Sequence, residues 1–515
     1  MKILSVEKIR QADAFTIQNE PIASSELMER AARACLNWLM PRFPSSVKIW
    51  IICGQGNNGG DGLALARMLA EEAYSVDVFV LKPGTQQSED FLKNMERLES
   101  KPDVKVTTLV PGDILPVFQE SDLVIDAIFG SGLSRPVEGF SEDIIRQINN
   151  CLSQVISIDI PSGLFADVSS IHNPTGIVRA DFTLSFELPK LAFLVPENAV
   201  YTGEWHILPI GLHPDFIKGA ETKNYLLTKL DAASIIRPRP AFAHKGIFGH
   251  ALLIAGSNGK MGAAVLAARA CLRSGTGLLT AHVPSKGIMV MPVAVPECMT
   301  ISDASEDIFT TCPDLSSYNA IGIGPGIGTD ELTSRALKLL IQEAVKPVVL
   351  DADALNILSN NKTWLAFLPE NSILTPHPKE FERLAGQVND DFERLAAARN
   401  FAVKFRIYLV LKGKYTAICC PDGVCFFNST GNAGMATGGS GDVLTGIILG
   451  LLARGYPPKE AALLGVYLHG LAGDMAARDE GQESMLAGDI TAHLGEAFLE
   501  LETGYNNLEC LRNNP

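Results

Sequence analysis

No stretch of this sequence is both apolar and long enough to cross a bilayer. The most hydrophobic segment, residues 443–453, is broken by Thr445, Gly446 and Gly450 and falls short of the roughly 20 apolar residues a spanning helix needs. The opening Met1-Lys-Ile-Leu-Ser-Val-Glu-Lys8 holds no apolar run that could act as a signal peptide, so a cytoplasmic location is expected. Positive charge is scarce: 43 Lys and Arg stand against 58 Asp and Glu, a net charge of −15. That balance argues against general binding to nucleic acid or to an anionic membrane surface. The ten cysteines show no zinc spacing, and Cys419 and Cys420 adjoin instead of forming C-x-x-C, so reduced thiols are expected. A P-loop is missing as well. Gly256-Ser-Asn-Gly-Lys260 has the wrong spacing, and Met261 stands where that loop requires Ser or Thr.

What remains is a well-packed globular composition, 47% hydrophobic and 20% charged, on a chain of 515 residues. That length predicts two or more domains. Helical periodicity over 25–40 is followed by short apolar runs at 47–53, 76–81, 123–127, 155–160 and 182–186, with a helix predicted over 62–72. Strands alternating with helices imply a doubly wound α/β domain, with ligands at the C-terminal ends of the strands. The pattern stops near Gly211. Residues 214–246, with Arg-Pro-Arg-Pro at 237–240, read as a linker and the entry to a second domain. Alternation then restarts: strands at 251–255, 278–283, 320–322, 348–350, 372–374 and 408–411, and a helix over 263–273. Two α/β domains in series follow, at 1–215 and 225–505.

In the first domain, Gly54-Gln-Gly-Asn-Asn-Gly59 fits G-x-G-x-x-G between a strand and a helix, the placement of a dinucleotide fingerprint. The ribose-binding acid of a simple dehydrogenase is poorly placed, because Asp77 lies inside the next strand and Lys82 ends it. Polar residues recur at later strand ends: Asp126 leads into Gly130-Ser-Gly-Leu-Ser-Arg-Pro136, Asp159 precedes Pro161-Ser162-Gly163, and Lys190 follows 182–186. Asn58, Asp126 and Ser162 offer oxygen ligands to a hard monovalent or divalent cation. Asp159 is then free for acid–base chemistry, assisted by Lys190. Helix caps and turns favour the same residue types, so each alone has a structural reading too.

In the second domain, Asn432-Ala-Gly-Met-Ala-Thr-Gly-Gly-Ser-Gly-Asp442 sets glycines against one carboxylate and runs into the apolar segment from Val443. Glycine amides and a helix N-terminus can converge on an anion, and an Asp there can take a proton from an attacking hydroxyl. That combination predicts phosphoryl transfer. Gly322-Ile-Gly-Pro-Gly-Ile-Gly328 misses the dinucleotide spacing. Lys412-Gly-Lys-Tyr-Thr416 follows a strand and offers ammonium and hydroxyl groups to a nucleotide, and Thr375-Pro-His-Pro378 holds His377 between prolines at another strand end.

Residues 3–215 resemble the NAD(P)H-hydrate epimerase domain, the YjeF N-terminal family, through Gly54-Gln-Gly-Asn-Asn-Gly-Gly-Asp-Gly62, Asp126-Ala-Ile-Phe-Gly-Ser-Gly-Leu133 and Asp159-Ile-Pro-Ser-Gly163. The resemblance implies that the hydrated nicotinamide nucleotide is contacted by Asn57, Asn58, Gly59, Gly60 and Asp61, by Gly130, Ser131, Gly132, Leu133, Ser134, Arg135 and Pro136, and by Asp159. It also implies a potassium ion on Asn58, Asp126 and Ser162. Residues 225–505 resemble the ADP-dependent NAD(P)H-hydrate dehydratase family, of ribokinase-like fold. The motifs are His244-Lys-Gly-Ile-Phe-Gly-His250, Gly324-Pro-Gly-Ile-Gly328, Asp351-Ala-Asp-Ala-Leu-Asn356, Thr375-Pro-His-Pro378, Lys412-Gly413 and 431–442. This resemblance implies that Lys412, Gly413, Lys414, Tyr415, Thr416 and Gly441 bind the adenine nucleotide, and that Ala263, Gly326, His377 and Asp442 contact the hydrate. Lys379 departs from the family, which usually has Gly there.

Together these resemblances imply a fused repair enzyme for hydrated NADH and NADPH. The first domain would interconvert the R and S hydrates. The second would dehydrate the S hydrate with ADP and magnesium, giving NAD(P)H, AMP and phosphate. The expected partners are these small molecules and further copies of the chain. Two other readings stay open: a ribokinase-like small-molecule kinase with a nucleotide-binding N-terminal domain, and a non-catalytic N-terminal module that binds nucleotide or RNA.

Overall fold

The computed structural model describes residues 1–82, 87–101 and 103–513, the last nine of these by backbone alone. It divides into two units, one of Met1–Asn224 with Asp390–Phe392, the other of Tyr225–Asn389 with Glu393–Pro515. Among the described residues no helix is long and apolar enough to cross a membrane.

The first unit is Rossmann-like. Its strands are β1 (Lys48–Cys53), β2 (Ser75–Leu81), β3 (Lys105–Leu109), β4 (Leu123–Ala127), β5 (Gln154–Ile158), β6 (Phe182–Phe186) and β7 (Glu204–Leu208), all parallel, in the spatial order β3-β2-β1-β4-β5-β6-β7. The chain runs outward from β1 to β3 and returns on the other side of β1 at β4. The crevice beyond the C-terminal ends of β1 and β4 is therefore the topological switch point, where such sheets bind ligands. Helices α1 (Val6–Asn19), α2 (Ser24–Leu39) and α3 (Asn57–Glu71) belong to this unit. The Ser5 side chain caps α1 by accepting from Lys8 N, and Glu26 closes the start of α2 by accepting from Ala23 N. Apolar clusters cover both sheet faces, one built on Ile49, Ile51 and Val78, the other on Ile52, Val124 and Ile145.

The second unit is ribokinase-like. From β8 (His250–Ile254) the chain passes to β9 (Leu278–Val283) and β10 (Met299–Ser302) on one side. It then crosses to β11 (Ala320–Ile323), β12 (Val348–Leu350), β13 (Ile373–Leu374) and β14 (Tyr408–Leu411) on the other, all parallel. Antiparallel β15 (Ala417–Cys419) and β16 (Cys425–Asn428) follow beyond β14. The segment predicted as an irregular linker contains a helix at Lys229–Ile235, started by a Thr228–Asp231 capping box, and a strand at Asn224–Leu227. A capping box and alternating apolar residues suffice for such short elements.

Helices α4 (Met261–Arg273) and α6 (Ser440–Ala453) pack on each other within the core of this unit. Their close approach depends on Gly446 and Gly450. A Cβ at Gly446 would stand 2.1 Å from the Ala267 carbonyl oxygen, and one at Gly450 would stand 2.6 Å from that of Cys271. Both obstacles are backbone, so neither can swing aside. Gly446→Ala is therefore expected to cost about 1–3 kcal/mol of stability. Thermal unfolding checks this, and an unchanged melting temperature would contradict the packing described.

Candidate active sites

A cleft of about 830 Å³ opens at the switch point of the first unit. Gly54 N donates to the Ala127 carbonyl at 3.0 Å, and a Cβ at Gly54 would stand 2.0 Å from the Ile128 oxygen. The loops after β1 and β4 therefore touch through backbone, which only glycine permits. Gly59 packs in turn on Gly54, where a Cβ would meet its oxygen at 1.8 Å. Helix α3 starts at Asn57 instead of Gly62, so 57–60 form its first turn and their amides lie at the positive end of the helix.

Asp159 is the best-defined side chain in the cleft. Its backbone is left-handed, φ +70°, a costly conformation for a non-glycine residue. The Lys190 ammonium stands 2.7 Å from Oδ1, and Ser131 N donates to Oδ2 at 2.7 Å. A Cβ at Gly130 would stand 2.9 Å from that same Oδ2. Lys190 is 1% exposed and also donates to Ser185 Oγ at 2.7 Å. Burial pushes the Asp159 carboxyl up, but the Lys190 charge, with Ser131, outweighs it and holds the pKa below the ordinary value. The result is a carboxylate ionised at neutral pH.

Behind the cleft wall, Asp126 accepts from Ser162 Oγ at 2.5 Å, Ser162 N at 2.9 Å and Ser157 Oγ at 2.7 Å. Register pairs Asp126 with Ser157 across β4 and β5. Burial raises the Asp126 pKa against these hydrogen bonds. Ser162 Oγ also meets Phe129 N at 2.8 Å and its carbonyl at 3.1 Å. Asn58 is buried, and among the described residues neither of its side-chain amide atoms has a hydrogen-bond partner; its Cβ lies beside the Gly130 backbone.

Of the residues assigned here by resemblance, Asn57, Asn58, Asp61, Gly130, Ser131, Gly132, Leu133, Arg135 and Asp159 line the cleft. Gly59 and Gly60 lie behind it as packing positions, and Ser134 and Pro136 are exposed off its wall. Arg10 and Asp13 on α1 also line it, although sequence reading did not single them out. Burial, and then the Asp159 charge, push the Asp13 carboxyl up to about 7 against the pull of Lys190. Asp61 is raised well above the ordinary value by burial and by Asp159, Asp13 and Asp90.

The second site gathers at the C-terminal strand ends of the second sheet. Gly439, φ +93°, turns the chain into α6, so Gly441 and Asp442 occupy its first turn. Asp351, directly after β12, is 1% exposed; it accepts from Lys412 Nζ at 2.9 Å and from Thr445 Oγ1 at 2.8 Å. A Cβ at Gly441 would stand 3.3 Å from Lys412 Nζ and 3.6 Å from Asp351 Oδ2. Helix start, lysine and buried carboxylate therefore form one cluster. Burial, the Asp351 charge and that of Asp353 lift Asp442 to about 6, with Lys412 opposing. Burial lowers the Lys412 pKa, but Asp351 and Glu380 outweigh it and keep the ammonium charged.

Asp353 Oδ2 accepts from Gly328 N at 2.9 Å and stands 3.3 Å from Lys260 Nζ. Gly326, φ +66°, lies against Lys260 and Ala263, so Ala263 and Gly326 adjoin each other at the start of α4. His377 caps α5 (Pro378–Ala385): its Nδ1 accepts from Lys379 N at 3.1 Å and Glu380 N at 3.3 Å, while Glu380 Oε2 accepts from His377 N at 2.9 Å. The imidazole thus has a structural duty, and its Nε2 stands 3.4 Å from Glu380 Oε1. Lys379 is exposed and leaves this cap intact. Thr416 Oγ1 closes the 413–416 turn on Gly413, and Lys414 Nζ donates to the Gly431 carbonyl. His469 also escaped sequence reading. Its Nε2 is 3.0 Å from the Ser440 carbonyl, and burial lowers its pKa to about 4, so a neutral imidazole clamps the start of α6.

A Rossmann-like cleft holding an ionised Asp–Lys pair, joined in one chain to a ribokinase-like site with a carboxylate at a helix start, defines a two-site α/β enzyme acting on nucleotides. The family described as YjeF-related protein N-terminus matches residues 24–192, and that described as NAD(P)H-hydrate dehydratase matches 251–495. The chain is 36% identical over 529 residues to the bifunctional NAD(P)H-hydrate repair enzyme Nnr of Moorella thermoacetica, covering 98% of this chain and 97% of that one. To the enzyme of the same name from Escherichia coli it is 33% identical over 494 residues, covering 95% and 92%. Among solved structures, the Bacillus subtilis ADP/ATP-dependent NAD(P)H-hydrate dehydratase co-crystallized with ATP/Mg2+ is similar at 33% identity and a TM-score of 0.49, covering 54% of this chain and 99% of that one. The chain belongs to the family of bifunctional NAD(P)H-hydrate repair enzymes.

Proposed function

We propose that the first unit epimerises hydrated NADH and NADPH and that the second dehydrates the S hydrate with ADP, releasing NAD(P)H, AMP and phosphate. The observation that carries this reading is the second-site cluster, with Asp442 in the first turn of a helix beside the Lys412–Asp351 pair. Ionised Asp442 takes the proton of the substrate hydroxyl, whose oxygen attacks the terminal phosphorus of ADP. Lys412 and the amides of 439–441 meet the charge that develops on the phosphoryl group, and phosphoryl transfer needs little beyond such positioning and charge. The bond from that phosphorus to the AMP oxygen breaks and AMP leaves. The ring nitrogen's electron pair then expels phosphate to give C=N⁺, and loss of a proton from the adjacent ring carbon restores the dihydropyridine. Asp351 holds Lys412, and His469 holds the helix start. Ala263, Gly326 and His377 would bound the hydrate, and 412–416 the nucleotide.

Magnesium would arrive with the nucleotide and neutralise phosphate charge. In the first unit a potassium ion suits the donors present: the unpartnered buried Asn58 amide, Asp126, Ser162 and the Phe129 carbonyl are all oxygen ligands. Its charge would offset the buried Asp126. Asp159 exchanges the proton of the hydroxyl being lost or gained at the hydrated carbon, with Lys190 fixing its orientation and ionised state.

Incubation of the intact protein with mixed hydrates, ADP and magnesium is expected to restore reduced-nicotinamide absorbance, with AMP and phosphate formed one to one with NADH. A stable phosphorylated product without NADH would favour a small-molecule kinase instead.

A further inference from the structure

Epimerisation removes a hydroxyl from one face of the hydrated carbon and returns it to the other. A single carboxylate fixed in place reaches one face well. Asp159 is fixed: Lys190 holds one oxygen and the Ser131 amide the other. Asp13 lines the same cleft from α1, a different wall. Among the described residues its half-buried carboxyl has no hydrogen-bond or ion-pair partner, so nothing ties it away from a ligand. The charged groups facing it are Arg10, which spends its guanidinium on the Gly132 carbonyl at 3.2 Å, together with Asp61, Arg135, Asp159 and, behind Asp159, Lys190.

We propose that Asp13 is a second catalytic acid–base residue of the epimerase site, serving the substrate from the α1 wall while Asp159 serves it from the strand-end wall. This rests on the epimerase reading given above. The C–O bond at the hydrated carbon breaks with its electron pair going to oxygen, which takes the Asp13 proton and departs as water. The ring nitrogen's lone pair forms a C=N⁺ bond. Water then adds to the opposite face, its oxygen forming the new C–O bond, and its surplus proton passes to Asp159 as the C=N⁺ electrons return to nitrogen. Proton exchange with solvent then returns both carboxyls to their starting forms, and the other epimer is converted by the same steps run backwards. The environments match the roles: Asp159 is held below the ordinary carboxylate value and Asp13 lies near 7, the separation expected of a base and an acid sharing one site. Asp61 is raised well above its ordinary value and is less suited to cycling.

The test follows a single purified epimer by proton NMR with the intact protein, from about pH 5.5 to about 9. An acid titrating near 7 predicts that the wild-type rate falls above that pH, because Asp13 must start protonated. Asp13→Asn is expected to lower kcat about 100-fold, with KM within about threefold, an unchanged circular dichroism spectrum and no fall near pH 7. Asp13→Glu should restore part of the rate. Wild-type kcat in Asp13→Asn, or a loss confined to KM with the alkaline fall retained, would overturn the assignment while leaving the epimerase reading intact. An epimer left unchanged by the wild-type protein would overturn that reading and this assignment with it.

Discussion

Asp442→Asn is expected to reduce ADP-dependent recovery of NADH by about 10³-fold, through the loss of the base that starts phosphoryl transfer. The same substitution is expected to stabilise the protein. In the folded state the Asp442 carboxyl titrates at about 6 instead of 3.8. Both states are protonated well below 3.8 and both are ionised well above 6; between those limits only the folded state keeps the proton. Wild-type stability therefore falls as pH rises through that window and stays lower above it, by on the order of 2–3 kcal/mol. Asn carries no such charge, so Asp442→Asn should melt higher than wild type at pH 8 and lose that advantage below about pH 4. Wild-type kcat/KM for dehydration should fall as pH drops below about 6, where the base is protonated. Parallel melting curves and rate profiles check both effects. A variant that retains activity, or that melts lower at pH 8, would contradict the site described.

Asp159→Asn is expected to lower epimerisation by at least about 100-fold while dehydration of the S hydrate continues, so NADH recovery from mixed hydrates should stop part-way. Removing Asp159 alone leaves the Lys190 ammonium, 1% exposed, without its counter-charge. Breaking a buried pair in this way costs about 3–5 kcal/mol. The double variant Asp159→Asn with Lys190→Met removes both charges and is expected to recover much of that stability while remaining inactive as an epimerase. Regained stability with regained epimerisation would mean that Asp159 is structural.

The parallel strands in the middle of both sheets were legible because they are short, nearly continuous apolar runs such as Ile49 to Cys53, buried on both faces. The edge strands Lys105–Leu109, Glu204–Leu208 and Met299–Ser302 lack such runs, since one side of an edge strand meets solvent, and periodicity passed over them. Helix α3 was predicted to begin too late because Gly59 and Gly60 are poor helix formers. They are there for contact, Gly59 on Gly54 and Gly60 on Met28. Candidate residues at strand ends were readable from topology, which brings Asn58 and Asp159 to one crevice with Asp126 behind its wall. Residues that reach a site from a helix flank were not. Arg10 and Asp13, one turn apart on α1, look like an ordinary solvated face until the fold lays that face over the cleft. His469 looks like one polar residue in an apolar helix until α6 is packed against it.

The central claim is a division of labour in which one unit feeds the other. Epimer-resolved chromatography of an equal mixture of R and S hydrates, with the intact protein, ADP and magnesium, tests it most directly. Both peaks should decline together to nothing as NADH accumulates to the full amount of hydrate supplied. An R peak that persists after the S peak has gone would contradict it.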